Sequence, residues 1–395
     1  MATANSIYMS DEYQEIEVIG WGRRLTSSCV GAILGIILLF ASFFILYWNE
    51  GRVDVSQIAK TAVEISASSP STGQGKLVST TGTITSSQLL GDDLFLQPGK
   101  YIIVSRTVEI FAWKQNKEST TEKNVGGSAT KTTTYTYTKE WTSNPEDSSS
   151  FRYPEGHRNP AKSVTSLDYM VSDAKVGIYS LDTGSLDYRN NYKVNRGGGI
   201  TLSERIGRPK FDILPLNRQN TRLSGNVTLA DNYLYKGIGS LENPQVGDLR
   251  IEYLVLPTDS TVTVFGKLES PDRITPYFHK KNTKLYWVFR GTRDEAIATL
   301  KTNYDIAIWL FRFSGFLIMW IGLALASNPI SVFLDFIPFL GSVSESVAGL
   351  ASFWVAFVLS TATILVSTLI HHPIALVIAL TISLGVMIVL RRHKP

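Results

Sequence analysis

Leu25–Trp48 reads LTSSCVGAILGIILLFASFFILYW, an unbroken lipid-soluble run without a single charge. A bilayer core about 30 Å thick takes roughly 20 apolar residues at about 1.5 Å each, so this run is long enough to span it. Its counterpart lies at the other end of the chain. Ile306–Leu390 holds three more such runs, interrupted only by Arg312, Asp335, Glu345 and the pair His371-His372. Between the two ends lie about 250 mostly polar residues, enough for a folded core of their own. The pattern predicts an α-helical multi-pass membrane protein with four transmembrane helices and a large β-rich extracytoplasmic domain.

The formal net charge of +4 is too mild to suggest nucleic acid as a partner. The single cysteine, Cys29, lies inside the first span, so the polar region has neither a disulfide nor a thiolate metal site. The first span is too long for the apolar part of a signal peptide. It ends in Tyr47-Trp48-Asn49-Glu50, where cleavage would need small residues, and so reads as an uncleaved anchor. Tyr47 and Trp48 suit an interfacial aromatic belt.

Residues 1–24 form a cytoplasmic tail, acidic at Asp11, Glu12, Glu15 and Glu17 and basic at Arg23 and Arg24. Transmembrane helix 1 takes 25–48, and 49–291 is the β-rich extracytoplasmic domain. Within it, Lys76–Ser87, Lys100–Trp113, Gly247–Leu256, Thr261–Leu268 and Lys284–Arg290 read as strands. Ala129–Trp141 alternates Thr and Tyr at period two, and Gly126-Gly127 before it suits a hairpin turn. At Thr292-Arg293-Asp294-Glu295 a capping box opens an interfacial amphipathic helix over 292–305. Transmembrane helix 2 follows over 306–326. The stretch 327–346, broken by Pro329, Asp335, Pro338 and Gly341, reads as a re-entrant or interfacial segment. Transmembrane helices 3 and 4 take 347–370 and 374–390, and 391–395 is a basic cytoplasmic tail. Four crossings put both termini on one side, and Arg23, Arg24, Arg391, Arg392 and Lys394 assign that side to the cytoplasm.

The search for chemistry finds little. HExxH, GxSxG and P-loop patterns are absent, and His157 and His279 have no acidic or cysteine partner at ligand spacing. No catalytic, cofactor-binding or metal-binding residue is expected. The spans carry more. Gly31-x-x-x-Gly35 is a close-packing motif, and Gly349, Ser352, Ala356, Ser360, Thr363 and Ser367 form one small, weakly polar stripe. The stripe fits a helix–helix interface better than a pore lining, since no ring of charge accompanies it. Arg312 and Asp335 are the intramembrane charges. Arg312 can snorkel outward, pair with Asp305 or meet a lipid phosphate; Asp335 can cap a helix or hold a cation.

Several local motifs accompany this layout. Asn49-Glu50-Gly51-Arg52 directly follows span 1. Trp113 is followed by the strand bearing Tyr135, Tyr137 and Trp141, then by Gly156-His157-x-Asn159-Pro160. Glu242-Asn243-Pro244-x-Val246-Gly247-Asp248-Leu249-Arg250 precedes a strand, and Asp335-x-x-Pro338 lies between spans 2 and 3. In order and spacing these resemble the transmembrane protein 43 family, also called LUMA. The resemblance implies a multi-pass protein that forms homo-oligomers and organises other membrane proteins, with membrane lipids as its further partners. It implies an endoplasmic reticulum or inner nuclear membrane with a lumenal domain; in a bacterial source the same topology gives an inner membrane with a periplasmic domain. It supplies no catalytic residue.

The leading expectation is thus a non-enzymatic scaffold. The alternatives are a channel or transporter component built on the Ser/Thr stripe, or a lipid-binding membrane protein using Arg312 and Asp335.

Overall fold

The computed structural model describes residues 11–124, 126–186, 211–280, 283–335 and 340–371. Strand β1 (Asp11–Ile19) precedes helix α1 (Trp21–Glu50) and the short α2 (Val55–Lys60). Then come β2 (Val63–Ser66), β3 (Leu77–Thr85), β4 (Tyr101–Lys123), β5 (Ala129–Thr142), β6 (Leu167–Met170), β7 (Lys175–Val176) and β8 (Tyr179–Leu181). They are followed by β9 (Asp212–Ile213), β10 (Val227–Ala230), β11 (Tyr233–Lys236), β12 (Leu249–Pro257), β13 (Thr261–Ser270) and β14 (Arg273–Thr275). The short β15 (Tyr277–His279), β16 (Thr283–Leu285) and β17 (Trp287–Arg290) lead into α3 (Arg293–Leu334) and α4 (Leu340–His371). The chain divides into two compact units. One holds Met1–Tyr13, Asp54–Lys117 and Tyr135–Tyr304; the other holds Gln14–Val53, Glu118–Thr134 and Asp305–Pro395.

The first unit is β-rich, as the period-two patterns predict. An eight-stranded sheet runs β1-β5-β4-β12-β11-β10, with β6 beside β4 and β9 beside β12. A seven-stranded sheet runs β17-β13-β14-β8-β7-β3-β2, with β3 also paired to β13. Along β12, Leu249, Ile251, Tyr253 and Val255 alternate into a core shared with Val104, Val108 and Ile110. Antiparallel pairing of β12 with β4, from Leu249 opposite Ile110 to Leu256 opposite Ile103, fixes that register. A second core joins Ile102, Leu256, Val262, Val264, Leu268 and Val288. The third packs Ala59 of α2 and Phe265 and Phe289 against Ala296, Ile297 and Leu300 of α3. A buried ion pair sits among them. Arg106, 2 % exposed, reaches Asp92 at 2.5 Å, and the same carboxylate takes the Tyr253 hydroxyl at 2.5 Å and the N–H groups of Leu94, Phe95 and Leu96. Burial and the Asp92 charge push the Tyr253 hydroxyl far above the ordinary tyrosine value.

Turns fall where the composition places them. Gly126 and Gly127 take φ of +88° and +82° between β4 and β5, a region that glycine enters freely. The capping box also forms: the Thr292 N–H donates to Glu295 Oε2 at 2.8 Å. The hairpin, however, outgrows its expected length. Strand β4 continues ten residues past Trp113, to Lys123, so residues 118–134 belong to the second unit.

Among the described residues, the second unit contains three helices long and apolar enough to cross a membrane, not four. The fourth expected span, 374–390, and the tail 391–395 lie outside the described residues, as does Pro338. Three boundaries differ from expectation. Residues 292–305 and 306–326 are one helix, α3, because nothing at Asp305-Ile306 interrupts the 3.6-residue repeat. The helix also runs through Pro329 to Leu334, and α4 starts at Leu340, where a broken segment over 327–346 was expected. In apolar surroundings, unpairing a run of backbone groups costs more than the one hydrogen bond a proline removes. Finally, Asp11–Ile19 of the tail is a strand, held by pairing with β5 rather than by burial.

Candidate functional site

Asn49-Glu50-Gly51-Arg52 ties α1 to its two neighbours in the second unit. Asn49 Nδ2 donates to the Ile308 carbonyl at 3.1 Å. Glu50, 4 % exposed at its side chain, accepts Arg312 Nε at 2.8 Å on Oε1 and Arg312 Nη2 at 2.7 Å on Oε2. The Thr368 hydroxyl of α4 lies 3.0 Å from the same Oε2. A Cβ on Gly51 would meet His371 Nε2 at 2.7 Å, so the imidazole packs directly on backbone. The Arg52 guanidinium lies 5.4 Å from the Trp48 ring centroid and 5.1 Å from that of Phe311. Arg312 of α3 is drawn to the end of α1. It forms a bidentate pair with Glu50, which neutralises both charges and fixes three helices at one level.

Asp335 holds cations at the other end of the unit. Its side chain is 3 % exposed, with Arg24 Nη2 at 2.6 Å and Lys123 Nζ at 2.9 Å. Arg24 Nη1 also donates to the Gly127 carbonyl at 2.6 Å, and Trp21 Nε1 to the Val332 carbonyl at 3.1 Å. Both cations lie far away in the chain.

The small residues separate into two groups. A Cβ on Gly35 would meet Gly322 O at 2.5 Å and Ala326 N at 2.7 Å, so α1 and α3 touch backbone to backbone there. Gly31 is not part of this contact: its Cβ would find only Leu325 Cδ2, at 3.9 Å. Gly349 has open space at its Cβ position, and its role is its carbonyl, which accepts Trp320 Nε1 at 3.3 Å. Along α4, Ser352, Ala356, Ser360 and Ser367 are buried. Ser360 and Thr363 bond back to the Phe357 and Leu359 carbonyls, while Ser367 Oγ reaches Tyr47 O at 3.4 Å. Gly322 was missed, although its spacing of seven residues from Gly315 is a stripe on one helix face. Trp309, Arg312, Phe313, Phe316, Phe353 and Phe357 line a groove of about 500 Å³ between α3 and α4.

In the first unit the remaining motifs converge around β4 and β5. Asn159 mimics a strand edge, accepting the Trp113 N–H at 2.7 Å and donating to the Trp113 carbonyl at 2.8 Å. His157, 1 % exposed, stacks on Tyr137 at 3.9 Å and meets the Trp113 ring edge-on at 4.7 Å. Its Nδ1 faces the Tyr153 carbonyl at 2.8 Å and its Nε2 faces Asp11 Oδ2 at 2.9 Å. The acidic partner missing from its local sequence thus comes from β1. Gly156, at φ +80°, turns the chain into this motif. Pro160 packs under Gly247, whose Cβ would lie 3.0 Å from its Cγ. Arg250 bonds Glu109 at 2.6 Å and lies 4.8 Å from the Trp141 centroid, and Leu249 is buried in the core beneath.

Asp248 organises the loop before β12. Its carboxylate accepts the Tyr235 hydroxyl and the N–H groups of Ile238 at 2.9 Å, Gly239 at 3.1 Å and Gln245 at 2.7 Å. Burial opposes its ionisation, but these donors outweigh that and hold the carboxyl below the usual aspartate range. A depressed folded-state value gives stability that is present above the ordinary value of about 4 and lost as pH falls through the folded one. Asp248→Asn is expected to cost about 1–3 kcal/mol at neutral pH. Thermal denaturation of both proteins in detergent should show the gap closing below about pH 4. A gap independent of pH would refute the charge-based account.

Of the motif side chains that could do acid–base or ligand chemistry, Glu50, His157, Asp248, Arg250 and Asp335 are engaged by internal partners. Among the described residues, no three His, Cys, Asp or Glu side chains converge on one point. The family model described as Transmembrane protein 43 matches residues 110–373. "Transmembrane protein 43" of Mus musculus is 25 % identical over 95 % of this chain and 93 % of its own length, and that of Homo sapiens matches to the same extent. "Transmembrane protein 43 homolog" of Drosophila melanogaster is 24 % identical over 87 % of this chain and 89 % of its own. No solved structure matches. The order of motifs, the apolar helices with their β-rich unit and these similarities agree: the chain belongs to the transmembrane protein 43 family.

Proposed function

We propose that this integral membrane protein is a non-enzymatic scaffold that self-associates and organises other membrane proteins. One observation carries the reading: the motif residues act as internal ties, while broad apolar faces are left uncovered. On α1, Val30, Ile33, Ile37, Phe40 and Phe44 are each at least 58 % exposed and fall on one side of the helix. Ties such as Glu50–Arg312 in the second unit and Asn159–Trp113 in the first stiffen each unit by itself, which suits a protein that positions others. Crosslinking in native membranes should give species containing two or more copies together with other membrane proteins. Phe40→Ala/Phe44→Ala should deplete them without lowering thermal stability. A monomer at every protein density, with no membrane protein captured, would end this proposal.

A lipid-binding reading has the α3–α4 groove in its favour. Its aromatic lining and the Arg312–Glu50 pair at its margin suit an acyl chain with a polar end. Lipid retained through purification of wild type but lost from Phe313→Ala/Phe357→Ala would favour it over the scaffold.

A further inference from the structure

The Asp335 clasp bears on membrane topology. Arg24 precedes the apolar run of α1, Lys123 and Gly127 lie in the loop between the runs of α1 and α3, and Asp335 follows the run of α3. If each run crosses once, Arg24 and Asp335 share one side of the bilayer and the entire loop faces the other. The two sides are about 30 Å apart. Yet one carboxylate holds Arg24 at 2.6 Å and Lys123 at 2.9 Å. Two further contacts repeat the arrangement. Arg24 bonds the Gly127 carbonyl at 2.6 Å, and the Trp21 ring lies so close to Gly127 that a Cβ there would come within 2.5 Å of it. Strand β1 agrees, because it pairs with β5, the second strand of the same hairpin. Hydrogen-bonded strands cannot be parted by a bilayer.

We propose that the hairpin tip, residues 118–134, shares the aqueous compartment of tail residues 14–24, anchored there by Asp335. The loop between α1 and α3 is then not wholly confined to the opposite side. The strands leading to the tip carry Glu118, Ser119, Thr120, Thr121 and Glu122 on β4 and Thr130, Lys131 and Thr132 on β5. Such a ribbon is not stable against lipid chains, so protein or water must flank it along its course. This inference is independent of the scaffold reading; it concerns only which segments face the same phase.

Two measurements on the full chain in native membranes test it, each with Cys29→Ser. Ile16→Cys and Glu122→Cys, both exposed and neither part of the clasp, are labelled with a membrane-impermeant maleimide before and after permeabilisation. The expected result is labelling of both from the same side; labelling from opposite sides overturns the proposal. Lys123→Cys/Asp335→Cys is then treated with a short bifunctional crosslinker beside Arg24→Cys/Asp335→Cys. Linkage of both pairs is expected. Loss of the Lys123 link while the Arg24 link forms would overturn anchoring by Asp335.

Discussion

Gly35→Ala destabilises the helical unit, whereas Gly31→Ala leaves it nearly unchanged. The two glycines are one turn apart, and sequence alone gives them equal standing as a packing motif. Their surroundings differ. A methyl at Gly35 falls 2.5 Å from Gly322 O, 2.7 Å from Ala326 N and 2.9 Å from Leu325 Cβ. The first two are backbone atoms and cannot rotate away, so the helices must separate along their length. Overpacking of this kind costs about 1–3 kcal/mol. At Gly31 the nearest atom is Leu325 Cδ2 at 3.9 Å, an ordinary contact with the end of a flexible side chain. Thermal denaturation in detergent should therefore show a lowered midpoint for Gly35→Ala alone. Because the contact lies within one chain, crosslinked multimers should persist in both variants. Equal effects at the two positions would show that the α1–α3 crossing is wrongly placed.

Much of the fold was legible because it rests on periodicity. Residues 129–141 alternate Thr and Tyr, and β5 occupies Ala129–Thr142. Gly126-Gly127 suits a hairpin turn, and the two glycines adopt φ +88° and +82° between β4 and β5. What failed to show were features decided by distant partners. Strand β1 was hidden because its acids read as a tail, and its reason to be a strand, β5, lies more than a hundred residues onward. The extension of β4 to Lys123 was missed because KQNKESTTEK carries no apolar alternation; pairing with β5, not burial, maintains it. The site residues divide in the same way. Their identities stood out, but Glu50 and Arg312 are 262 residues apart and Arg24 and Asp335 are 311 apart, and no local pattern encodes such pairings.

The Glu50–Arg312 pair gives the other large effect. Glu50→Ala removes the bidentate carboxylate from a guanidinium that lies among apolar helices, 5.1 Å from the Trp309 ring centroid. Breaking a buried pair by removing one partner costs about 3–5 kcal/mol, chiefly because of the charge left behind. The Arg312 side chain is 24 % exposed, so the lower end of that range applies. Arg312→Ala strands the more deeply buried carboxylate, 4 % exposed, and is expected to be at least as damaging. The double variant Glu50→Ala/Arg312→Ala removes both charges and should recover much of the loss. It still forfeits the packing of two long side chains and the bond from Thr368, so it should remain below wild type. A midpoint for the double variant above either single one establishes mutual neutralisation as the pair's role. Additive losses would instead mean that each residue serves a separate partner, and the three helices would need another common tie.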